Sequence, residues 1–192
     1  MSNEILKNLL EGNKRYYSGK SVHPNNNQET RNKLIKKQTP VAIVVSCSDS
    51  RAPVEVLFDV GIGDLFVIRS AGHVLTESEM ASIEYGIEHL NVKLLIVMGH
   101  SSCGAVTSAL NHKDEKLSPN MSLLINRIKP AIEKAKKNGG DENLLEKSIN
   151  CHVHETINYI KQDKEISKLI DELKVDVVAA KYNIENGKVE KI

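Results

Sequence analysis

No stretch of this chain approaches the roughly 20 consecutive apolar residues that a membrane-spanning helix requires. An excess of one charge is also missing, with 26 Lys and Arg set against 25 Asp and Glu. A general binder of nucleic acid or anionic membrane needs a basic surplus, so the balance argues against both classes. Three cysteines are too few for a disulfide framework, and in a reducing compartment they read as free thiols or metal ligands. There is no Gly-x-Gly-x-x-Gly or Walker loop, hence no nucleotide-binding signature. Residues 1–10 show neither a long apolar run nor a cleavage-site pattern. The expectation is a soluble cytoplasmic protein, folded as a single domain over residues 1–192 with a substantial core.

What is present is organised around two apolar runs. Val41-Ala42-Ile43-Val44-Val45 is mostly β-branched and reads as a strand buried on both faces. A second run over 92–98 copies it. Strands are also expected at 64–69 and 175–182, and Asn186-Gly187 is expected to make a hairpin turn into a last strand over 188–192. Helical spacing marks 3–17 (one or two amphipathic helices), a short basic helix over 28–37, and 104–110, 121–137, 142–162 and 166–173. Loops are expected over 18–27, 70–74 and 113–119, and Asn138-Gly139-Gly140 separates the two long helical patterns. Pro53 suits the first turn of a helix, and Thr76 with Glu79 forms a capping box for the helix that follows. The alternation gives an α/β fold with a central, mainly parallel β-sheet flanked by helices and an antiparallel last strand.

Each buried run ends in chemistry. The first leads into Cys47, Asp49 and Arg51, and the second into His100 and Cys103. In an open α/β sheet, the carboxyl ends of strands are where ligands bind. Two thiolates and one imidazole suit zinc, and three protein ligands leave a fourth tetrahedral position for water. Asp49 is in reach either to accept from that water or to become a fourth ligand. A bidentate Arg51–Asp49 pair would keep the carboxylate off the metal and ionised. Cys151, His152 and His154 lie within one helical pattern without metal spacing, so they read as core or surface. His23, His89 and His112 get the same reading.

The Cys-Ser-Asp-Ser-Arg motif at 47–51, with His-x-x-Cys-Gly at 100–104, resembles the β-class carbonic anhydrases. Segments at 9–13, 63–69, 82–85 and 187–189 are also similar, so the resemblance runs along nearly the whole chain. It implies the β-carbonic anhydrase fold and reversible hydration of carbon dioxide to bicarbonate and a proton, through zinc-bound hydroxide. By that resemblance Cys47, His100 and Cys103 are the ligands of one zinc ion per chain, and Asp49 and Arg51 form the catalytic dyad. Gln38, Phe66, Ala71, Tyr85 and Gly104 match substrate-binding positions of the plant-like (type I) branch, with Gln38 and Tyr85 acting across a dimer interface. The absence of tryptophan argues against the branch that carries an inhibitory bicarbonate site. A homodimer or homotetramer is implied, with residues 1–37 forming a helical arm that lies on the partner subunit. Where many members have Asn, this chain has His73, read as a proton carrier or as an ordinary loop histidine. Three alternatives stay open: a hydrolase of carbonyl sulfide or carbon disulfide, a non-enzymatic zinc or redox protein capped by Asp49, and a bicarbonate-binding module.

Overall fold

The computed structural model describes residues 2–112, 116–138 and 142–192. Its first helix, α1, is continuous over Ser2–Tyr17 and is followed by α2 over Gln28–Leu34. The first apolar run forms β1 (Ala42–Cys47), and Pro53 caps the short α3 (Val54–Leu57). Next come β2 (Leu65–Ser70), a tight 3-10 turn at Ala71–His73, and α4 (Glu77–Glu88). The capping box is present at the start of α4, with the Thr76 amide donating to the Glu79 carboxylate at 2.8 Å. Then follow β3 (Leu94–His100), α5 (Gly104–Asn111), α6 (Pro119–Lys137), α7 (Leu144–Gln162) and α8 (Lys164–Glu172). The chain closes with β4 (Asp176–Tyr182) and β5 (Val189–Lys191).

The strands make one five-stranded sheet in the order β2-β1-β3-β4-β5, parallel except for the β4–β5 pair. Every residue of β1 and β3 is buried, as the unbroken apolar runs require for strands covered on both faces. Alternate side chains sort to the two sides. Ile43, Val45, Leu95 and Val97 pack with Ile83 and Ile87 of α4 and with Val153, Ile157 and Ile160 of α7. Val44, Leu94, Ile96 and Met98 pack with Leu6 and Leu9 of α1 and with α3. A third apolar cluster joins Cys47 and Cys103 to Val106, Ile125, Ile128 and Ile149. It forms a roof of α5, α6 and α7 over the strand tips.

Several boundaries differ from the sequence reading. β3 runs on to His100, because its last residues pair with Lys181 and Tyr182 of β4. The basic helix stops at Leu34; none of its residues is buried, and no packing sustains a further turn. The expected hairpin turn at Asn186-Gly187 is instead part of a wider connection between Tyr182 and Val189, the first paired residues of β4 and β5. That connection is built on Asn183, whose Oδ1 accepts from the Glu185 amide at 2.9 Å. Residues 113–115 of the expected loop, and Gly139 and Gly140 between the long helices, lie outside the described residues.

Candidate metal centre

Cys47 is the last residue of β1, His100 the last of β3, and Cys103 the residue that caps α5. Adjacent parallel strands carry the first two side by side. Cys103 is brought back to them by Ser102, whose backbone adopts the left-handed conformation at φ 56°. The ligand atoms of the three residues lie within 4.8 Å of one another, and the two sulfurs are 4.0 Å apart. All three residues are at least nine-tenths buried.

Three observations bear on whether this set fits a soft cation. His100 Nδ1 lies 3.0 Å from the Ser101 carbonyl. A carbonyl only accepts, so the hydrogen sits on Nδ1 and Nε2 presents a bare lone pair. That Nε2 is buried and makes no hydrogen bond, an orphan that a metal would satisfy. The hydrogen bond from Cys103 holds Cys47 below the usual thiol range, and the same contact pushes Cys103 up. Burial opposes charge on His100, yet the neighbouring Cys47 thiolate outweighs it, and the net direction is upward. The donor set, two sulfurs and one imidazole nitrogen, suits zinc.

Asp49 and Arg51 form the expected pair. The Arg51 amide and Nε both donate to Oδ1 at 2.9 Å, and Nη2 donates to Oδ2 at 2.8 Å. This fork holds the Asp49 carboxyl below the ordinary carboxylate range. Oδ2 keeps a free lone pair and lies 3.8 Å from His100 Nε2. Ala71 opens the turn beside Cys47, and Gly104 opens α5 directly after Cys103 with free space where a Cβ would stand. Phe66 and Tyr85 meet each other, ring centroids 6.1 Å apart, with Tyr85 46% exposed. Gln38 is exposed on the segment before β1. Among the described residues, none of these three is hydrogen-bonded to the Cys–His–Cys set.

A carbonic anhydrase family model matches residues 42–189. Carbonic anhydrase 2 of Mycobacterium tuberculosis is 35% identical over 95% of this chain and 88% of its own length. A solved β-carbonic anhydrase, CcaA, superposes with a TM-score of 0.75 at 26% identity, over 97% of this chain and 94% of that one. The chain belongs to the β-class carbonic anhydrases. A tetrameric β-carbonic anhydrase of Sordaria macrospora shares the fold, with a TM-score of 0.76 at 24% identity, over 93% of this chain and 92% of that one. Membership carries the enzyme class, a carbonate dehydratase and so a lyase.

This carbonic anhydrase braces its strand tips with residues that the sequence did not single out. Arg69 donates to the carbonyls of Cys47 at 3.0 Å and Asp49 at 2.7 Å. Ser102 is held at both ends, its amide by Glu146 at 3.2 Å and its carbonyl by Arg51 at 3.3 Å. Glu146 is itself paired with Lys181 at 2.5 Å. Gly72 donates its amide to the Cys47 sulfur at 3.3 Å. Of these only Arg69 carried a signal, a lone charge at the end of an apolar strand.

His73 lies in the turn within the expected loop, but it is not placed to carry protons to solvent, being 1% exposed and stacked on His152 with ring centroids 4.4 Å apart. Burial, then the neighbouring histidines, hold its pKa well below 6.5, and burial lowers His152 to about 4. Both rings are therefore neutral at pH 7. In the unfolded chain both take up protons near pH 6.5, so their contribution is fully present above that pH and is lost as the pH falls toward 4. For His152 alone the loss is about 3 kcal/mol. Urea unfolding at pH 7.5 and at pH 5 should show stability falling by about 2 kcal/mol or more between the two; a flat profile would mean that the pair titrates normally.

Proposed function

We propose that this carbonic anhydrase holds one zinc ion per chain on Cys47, His100 and Cys103, and hydrates carbon dioxide reversibly to bicarbonate and a proton at that centre. The observation that carries the reading is the junction of two sulfurs and a bare histidine nitrogen with a carboxylate pinned beside them. Zinc bound there would act as a Lewis acid and lower the pKa of a water in the fourth position.

The chain's own residues do the rest. Two thiolates cancel the formal charge of the ion, so the centre acidifies water less than one built from three histidines, and an adjacent acceptor matters more. Asp49 Oδ2 is that acceptor. Arg51 occupies Oδ1 twice and Oδ2 once, which leaves Oδ2 one free direction and fixes it. The pairing also keeps Asp49 from protonating at any pH above the ordinary carboxylate range. In this reading Phe66, Ala71 and Tyr85 supply the apolar side of the substrate pocket, and the Gly104 amide at the start of α5 supplies a donor for the anionic product.

The site is completed by a second subunit in this reading. Gln38 and Tyr85 are exposed in one chain, and Ile35 beside α2 is 77% exposed. A dimer of the plant-like type, alone or paired into a tetramer, covers these residues. It brings Gln38 and Tyr85 to the partner's substrate pocket. Of the arm expected over 1–37, α1 packs on its own sheet through Leu6 and Leu9, which leaves α2 as the part that reaches across. No described helix is long and apolar enough to cross a membrane, and the near-balanced charge gives no electrostatic drive toward nucleic acid. A cytoplasmic enzyme is the setting that this reading assigns.

Stopped-flow hydration of carbon dioxide against pH tests it, on wild-type protein and Asp49→Asn with zinc quantified in both. One zinc per chain is expected in each, with the rate rising through a pKa near or above neutrality in the wild type. The variant should be slower by about 100-fold or more. Stoichiometric zinc with no hydration at any pH would reject the reading.

A further inference from the structure

Gly72 stands between the two cysteine-bearing segments. Its amide donates to the Cys47 sulfur at 3.3 Å. A Cβ placed on it would lie 2.9 Å from the Ala105 side chain, in the helix that Cys103 caps, and 3.2 Å from Ile128. The backbone here is unusual. Gly72 has φ 60° and ψ 23°, and His73 directly after it has φ 47°. Two consecutive left-handed residues, one of them not glycine, persist only where their surroundings hold them.

The group that holds them comes from α7. His152 Nε2 lies 2.8 Å from the Gly72 carbonyl. Since the carbonyl can only accept, Nε2 carries the hydrogen. The ring is 3% exposed and lies against the His73 ring at an interplanar angle of 31°. His73 in turn sits beside Gly99, the residue before His100, with Ile149 and Val153 on the same side. One imidazole thus fixes the carbonyl of Gly72, while its neighbour fills the space beneath the strand tip.

We infer that His152 is a positioning residue for the metal centre: by donating to the Gly72 carbonyl it locks the left-handed turn, so that the Gly72 amide stays directed at the Cys47 sulfur. The inference rests on the zinc reading above and adds to it a neutral histidine that touches neither metal nor substrate. Hydrogen bonds to a ligating atom orient it and moderate its donor strength, and loss of such outer partners commonly weakens metal binding by about 10- to 100-fold. His152 acts one bond further out. Without its donor the buried carbonyl loses its partner and the turn is free to relax, and the amide leaves the sulfur.

The test is zinc loss to an excess of chelator at pH 7.5, followed by metal release rather than turnover, with melting temperature recorded alongside. His152→Leu removes the donor, His152→Gln keeps an amide N–H of similar reach, and Ile160→Ala weakens the same helix in its core without touching Gly72. The leucine variant should release zinc about 10- to 100-fold faster than wild type, and glutamine should restore the rate to within a few-fold. Ile160→Ala should lower the melting temperature and leave zinc release unchanged. If the leucine variant does not fold, His152→Phe, with a ring but no donor, carries the same comparison. Release at the wild-type rate from the donor-less variants would overturn the inference, as would equal acceleration by Ile160→Ala, since packing alone would then explain it. Wild-type protein that retains no zinc would overturn the metal-centre reading itself, a different result from normal zinc retention in every variant.

Discussion

Cys47→Ala is expected to purify without stoichiometric zinc and to lose carbon dioxide hydration by about three orders of magnitude or more, the loss of several kcal/mol of transition-state stabilisation. The size of the effect follows from where the residue stands. Cys47 is one of only two sulfurs in the set and ends a strand buried along its length. Its neighbours cannot compensate. Asp49 is turned toward Arg51 by three hydrogen bonds, and Cys151 lies on a different helix, half-buried and outside the cluster. The substitution itself is mild in volume, so the fold should survive and the apoprotein should remain measurable. Zinc is counted per chain by elemental analysis, and hydration is followed by stopped flow. Retention of both one zinc and near-normal turnover would place the metal elsewhere in the molecule.

Gly12→Ala should be strongly destabilising, at about 3–5 kcal/mol. A Cβ at Gly12 would stand 1.9 Å from the carbonyl oxygen of Phe58 and 2.9 Å from its carbon. Both are backbone atoms, and no rotamer relieves them. α1 has to lift away, and Asn13 next to it makes three hydrogen bonds that depend on the same contact. Its Nδ2 donates to Leu57 O at 3.0 Å and Gly187 O at 2.9 Å, and its Oδ1 accepts from Val189 N at 2.8 Å. Asn13 is 2% exposed, so these groups would lose partners without gaining water. Leu6 and Leu9 would lose cover at the same time. Urea denaturation measures the cost, and zinc content of the protein that remains folded should be unchanged. A midpoint close to wild type would mean that α1 is held loosely against Phe58.

How far the chain could be read in advance follows the range of each interaction. β1 and β3 were legible because a parallel strand covered on both faces writes an unbroken apolar run. The meeting of Cys47, His100 and Cys103 was legible because Cys and His at the carboxyl ends of two such runs fall close together at adjacent strand tips. The Asp49–Arg51 pair needed only an extended segment two residues long. What stayed hidden depends on meetings across the chain. His152 looked like any core histidine on a helix, and its partner is a backbone carbonyl in a turn 80 residues away, which leaves no trace in residue type. Glu146 serves the Ser102 amide across 44 residues in the same way. The burial of His73 was hidden because its cover comes from α7, through the ring of His152. β3 extended to His100 because β4 offered it a partner, a fact about pairing rather than about the run itself.

The contacts of Asn13 also bear on how the polypeptide is made. α1 precedes the other elements, yet two of the three hydrogen bonds of its buried asparagine go to Gly187 and Val189, 174 and 176 residues further on. Until those residues leave the ribosome the helix has no complete seat, although the residues that cover Leu6 and Leu9 on β1, α3 and β3 are already made. At about 5–20 residues per second, that interval lasts on the order of ten seconds or more. Folding of this enzyme therefore closes from both ends at once. A ribosome that stalls shortly before residue 187 would leave a nascent chain without β5 and with Asn13 of its first helix lacking two of its three partners.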